Sequence, residues 1–172
     1  MTRITDALPL GVMAAFCALA PLGAGAAPVP EDFWQMIAKL ASATTQGGEA
    51  VVKQWPGRPF SLAPQPGAGT RDISSEPFTS AQGLQSTIAE VRLAEGNSVQ
   101  LMVLELQGRC ITPADLGARY RQQVKNADFP QPGNPDPVSY RRVQIEGVRV
   151  SFGFRGNAPG CLSHVVFNPA VD

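Results

Sequence analysis

The sequence predicts an α+β fold: a twisted antiparallel sheet of about five strands, in the order β-β-α-β-β-β, with an N-terminal helix and a second helix packed on it, and one disulfide. Three observations lead there. Phe33, Met36, Ile37 and Leu40 recur at the i, i+3, i+4, i+7 spacing of one helix face. The second half of the chain holds short stretches that alternate or run apolar, parted by Gly-containing turns, which is the pattern of neighbouring antiparallel strands. Finally, removal of a leader leaves a single cysteine pair, Cys110 and Cys161.

Residues 1–26 have the three regions of a secretory signal peptide in order: a short start with Arg3, the apolar run Ala7–Ala20, and small residues and turn formers to Ala27. Asp6 partly offsets Arg3. Ala24-Gly25-Ala26 has the small-x-small form of a cleavage site, so cutting is expected after Ala26, with Ala27 as the alternative, leaving residues 27–172 as one domain. The apolar run is shorter than the ~20 residues a bilayer needs, so no transmembrane anchor is expected after processing. The protein is therefore expected in the periplasm or outside the cell. Cys17 leaves with the leader, and a disulfide between Cys110 and Cys161 fits an oxidising compartment.

Along the mature chain, a helix is expected over Glu31–Ala41, started by Pro30 and the acidic pair Glu31-Asp32, with Trp34 widening its apolar stripe. Periodicity leaves Glu49–Trp55 open between strand and helix. Residues 56–83 are rich in Pro, Gly, Ser and Thr and read as a long connection, a lid, binding loop or linker. Ala89, Val91 and Leu93 alternate with charged residues in a first strand, and Glu95-Gly96-Asn97 turns the chain. The continuous run Leu101-Met102-Val103-Leu104 predicts a central strand covered on both faces. Thr112-Pro113-Ala114-Asp115 then opens a second helix, with a cap, a proline at the first turn and an acid at the third position, running to about Val124. The proline-rich stretch 126–137 is a loop. Val138–Ile145, a tight turn at Glu146-Gly147, Val148–Arg155 and Cys161–Phe167 complete the sheet.

Composition narrows the function. Lys plus Arg and Asp plus Glu both number 14, so no overall field draws nucleic acid or an acidic partner. His164 is the only histidine, and Cys161 stands three residues from it, on the opposite side of a strand. No serine sits in a Gly-x-Ser-x-Gly elbow, and the donors fit neither a zinc pattern nor a calcium loop, so no catalytic residue, metal or cofactor is assigned. What remains is recognition. Arg141, Arg149 and Arg155 occupy strand positions on what reads as a solvent face, joined by Arg142, while the long connection adds Arg58, Phe60 and Phe78, an aromatic and basic mix suited to a partner or ligand. The expectation is an exported, non-enzymatic binding module, of the inhibitor or immunity type, acting on another protein or envelope component. The alternatives are a hydrolase built around His164 and a structural subunit of an envelope complex.

Overall fold

The structure, a computed structural model, describes residues 31–56, 61–63, 71–75, 77–79, 83–121, 124–127, 137–156 and 160–169. The expected signal peptide, Arg58 and Phe60 lie outside them. In chain order the elements are α1 (Glu31–Gln46), α2 (Gly48–Gln54), β1 (Ser61–Ala63), β2 (Arg71–Ser75), β3 (Phe78–Thr79), β4 (Leu84–Leu93), β5 (Val99–Gly108), α3 (Pro113–Tyr120), β6 (Lys125–Ala127), β7 (Val138–Ile145), β8 (Val148–Arg155) and β9 (Leu162–Pro169). The strands form one antiparallel sheet, ordered β1-β2-β4-β5-β9-β8-β7-β6, with β3 pairing on β4 beside β2. The fold is thus α+β with a disulfide, but the sheet has nine strands instead of about five.

The additional strands have a common cause. β1, β2 and β3 fall within the stretch 56–83 and β6 at the start of the stretch 126–137. β2 has the sequence Arg-Asp-Ile-Ser-Ser, in which Ile73 is buried, so a five-residue strand carries one apolar residue and no alternation to detect. The pairing comes from β4, whose Val91 stands across from Ile73 and supplies the tertiary context.

α1 runs to Gln46, beyond Ala41, because its polar end satisfies itself: Thr44 Oγ1 donates to the Ala41 carbonyl at 2.7 Å and Thr45 Oγ1 to that of Ser42 at 2.8 Å. Gly47, at φ 106°, then breaks the helix, and α2 occupies the segment that periodicity leaves open. At α3 the expected cap is complete, with Thr112 N donating to Asp115 Oδ2 at 2.8 Å and Asp115 N to Thr112 Oγ1 at 3.3 Å. Asp does the work of the usual Glu. Arg121, at φ 45°, ends this helix short of Val124.

All three helices lie on one face of the sheet. α1 packs on β8, β9, β5 and β7, and its Ile37 and Leu40 are completely buried. A Cβ on Gly48 of α2 would strike Leu93 of β4, and Tyr120 of α3 sits 6.1 Å from the ring of Phe152 on β8. Trp34 is core, 4 % exposed, with its edges against Phe33, Tyr120 and Phe152. The expectation that β5 is covered on both faces is corrected: Met102 and Leu104 are buried, while Leu101 and Val103 are half-buried on a face that carries no helix among the described residues. A continuous apolar run does not distinguish a doubly covered strand from one with an apolar outer face.

Cys110, just past β5, is bonded to Cys161, just before β9, with their Cα atoms 4.9 Å apart. Beside the bridge Leu162 N donates to the Ile111 carbonyl at 2.8 Å. The β4–β5 pairing closes against it at Gly108, whose φ of 95° suits glycine and where a Cβ would run into the Gly83 carbonyl oxygen. Gly108→Ala is expected to lower stability by ~1–3 kcal/mol, read as a shift in the urea midpoint, while Gly117→Ala, with open space at its Cβ, is not expected to lower it.

Candidate functional site

Two regions stand out, one on each face of the sheet. On the helix side, the N-terminal turn of α1, the end of α2, β3 and the adjoining parts of β4 and β5 leave a cavity of about 220 Å³. Its walls are Phe33 and Met36 of α1, Trp55 just past α2, Phe78 of β3, and Leu104 and Leu106 of β5. Trp55 and Phe78 meet edge to face at 6.3 Å. Ser86 and Ile111 complete the lining with Leu84, and Asp32 and Arg109 stand as the charged groups among its described lining residues. The chain ends that enter and leave the stretch 56–83 thus supply Trp55, Pro56 and Phe78. An apolar cavity of about 150 Å³ admits benzene, whereas drug-sized sites begin near 300 Å³. This one is the size of a single substituted ring or a short acyl chain.

The opposite face is set by register. Arg149 and Arg155 of β8 point to it, and so does Arg142, because Arg142 stands across from Ser151. Arg141 stands across from Phe152, on the helix side. The structure therefore places Arg142, Arg149 and Arg155 on one face and Arg141 on the other. In β7 the run Ser139-Tyr140-Arg141-Arg142 hides the alternation. Counting back from the two-residue turn at Glu146 (φ 50°) and Gly147 (φ 78°) recovers it.

Gly153 of β8 lets the Tyr140 ring lie across the strand towards His164: a Cβ there would meet Tyr140 Cε1 and Val138 Cγ1 at 2.8 Å. Burial beneath this packing raises the Tyr140 phenol above its ordinary pKa. His164 faces Glu105 across the β5–β9 pairing, and its Nδ1 lies 2.8 Å from Ser163 Oγ. The Ser163 hydroxyl is also placed to donate to the Gly153 carbonyl, at 3.2 Å. Ser163 is buried, 5 % exposed, between these two partners.

Arg155 and Arg109 enter a polar recess of about 270 Å³ with Glu105, Thr87 and Gln107, walled by Cys161. No group of His, Cys, Asp and Glu among the described residues is arranged to hold a metal ion, and no helix among them is long and apolar enough to cross a membrane. Sequence reasoning singled out Phe78 but not the cavity it lines, since the walls come from separate stretches and share no motif. The chain matches no family model, no curated protein and no solved structure.

Proposed function

We propose that this chain is an exported, non-catalytic binding module whose ligand site is the apolar cavity between α1 and β5. The observation that carries the reading is the cavity itself, about 220 Å³ lined by Phe33, Met36, Trp55, Phe78, Leu104 and Leu106. Close-packed interiors leave few voids larger than a water molecule, so apolar space of this size is well suited to an apolar group supplied from outside. The Cys110–Cys161 disulfide supports residence in an oxidising compartment. The ligand is a single hydrophobic anchor, a ring or short acyl chain, presented by an envelope component. Arg109 at the lining suits an anchor that carries a carboxylate.

The test is a titration with octanoate and with phenylacetate, followed by backbone amide shifts. Shifts concentrated at Met36, Trp55, Phe78 and Leu106 are expected. Leu106→Trp, which fills the cavity from β5, should weaken binding at least about tenfold, ~1.4 kcal/mol, with the circular dichroism spectrum retained. Shifts absent from these residues with both probes would sink the reading.

A further inference from the structure

Between β5 and β9 the sheet opens. The two strands pair from Met102 with Phe167 to Glu105 with His164, and the chain is joined again where Cys110 is bonded to Cys161. Between those points β5 and its continuation run five residues against three on the β9 side, and the surplus bows the chain away from its neighbour. The gap is the polar recess of about 270 Å³. This geometry sorts its charges. Glu105 stands at the inner end, at the last pair of the two strands. Arg109 and Arg155 stand at the outer end, one on each side of the bridge: Arg109 directly precedes Cys110, and Arg155 N donates to the Cys161 carbonyl at 3.4 Å. Thr87 and Gln107 add uncharged polar groups to the walls.

We infer that this recess binds a short free peptide, its terminal carboxylate at Arg109 and Arg155 and its terminal ammonium at Glu105. Guanidiniums present N–H groups in a planar fork that matches a carboxylate, and here two of them come from separate strands whose spacing the disulfide fixes. Glu105 disfavours a ligand that is an anion throughout, whereas a ligand with opposite charges at its two ends meets both ends of the recess. An ion pair that the walls make with each other in a solvated recess contributes little, so such a ligand displaces it. Length agrees. Glu105 and Arg109 are no more than about 13 Å apart along the chain at ~3.3 Å per residue. An extended tripeptide spans about 10 Å, and the side chains close the remainder. The volume lies just under the ~300 Å³ at which drug-sized sites begin, which suits a peptide of two or three small residues. Glu105 and Arg155 line this recess and not the apolar cavity, so the inference stands or falls apart from the ligand proposed there.

The test is titration of the oxidised full chain with trialanine, N-acetyl-trialanine and trialanine amide, followed by backbone amide shifts, and the same on Arg155→Gln and Glu105→Gln. Trialanine is expected to shift Gln107, Gly108 and Ser163, and capping either end should weaken it at least about tenfold. Arg155→Gln should bind trialanine and its amide alike, because the carboxylate has lost a partner. Glu105→Gln should bind trialanine and its N-acetyl form alike. Absence of these shifts with trialanine at millimolar concentration would overturn the inference. So would capped peptides that bind as well as the free one, or variants that still tell capped from free as the unaltered chain does.

Discussion

Phe152→Ala is expected to lower the stability of the fold by ~3–5 kcal/mol, the range for emptying a large aromatic site in a packed interior. Phe152 has no exposed surface and stands in β8 between Arg141 of β7 and Val165 of β9. Its ring is 6.2 Å from that of Trp34 on α1 and 6.1 Å from that of Tyr120 at the end of α3. One truncation therefore removes apolar burial and two aromatic contacts, and the sheet's own hydrogen bonding resists collapse into the space. The loss should register as a lower denaturant midpoint with an unchanged slope. Phe152→Leu, which keeps most of the volume, should cost clearly less. Equal losses in the two variants would mean that Phe152 acts through ring geometry and not through filled volume.

Breaking the Cys110–Cys161 bond is expected to cost nearly as much, ~4 kcal/mol in the chain-entropy account for a loop of this length. The two residues are 51 apart in sequence, and the loop they close contains α3, β6, β7 and β8. Opening it frees the unfolded chain far more than the folded one, because the pairing of β5 with β9 and the Leu162–Ile111 hydrogen bond hold the same ends together in the native sheet. The comparison is urea denaturation with and without reductant, alongside the Cys110→Ala, Cys161→Ala double variant. The reduced protein and the variant should agree. A loss below about 1 kcal/mol would show that the unfolded chain already keeps these ends close.

Much of the architecture was legible where local signals are strong. β7 and β8 keep the bounds that alternation and the Glu146-Gly147 turn imply, and Thr112 with Asp115 marks the start of α3 through the chemistry of orphaned backbone donors. The cysteine pair was legible by counting. What escaped was non-local. β2 is a strand because β4 offers it a partner, and β6, with the sequence Lys-Asn-Ala, has no apolar alternation at all. The outer face of β5 was misread because Leu101 and Val103 are apolar wherever they point. The basic row was legible in composition but not in parity, so Arg141 was grouped with residues from which the sheet separates it. Trp55, Phe78 and Leu106 carry no shared spacing, and only the folded chain places them around one cavity.

The two ends of the sheet, β1 and β6, are three residues each, whereas β4, β5, β7, β8 and β9 run to eight or ten. Among the described residues each border strand therefore offers few backbone hydrogen bonds to a passing extended chain, and Lys125 adds an exposed charge to one of them. A sheet this wide, cut off at its full length, would present a template for aggregation at both borders. Tapering to short borders, one of them charged, caps that growth and keeps the long apolar strands out of intermolecular β-pairing.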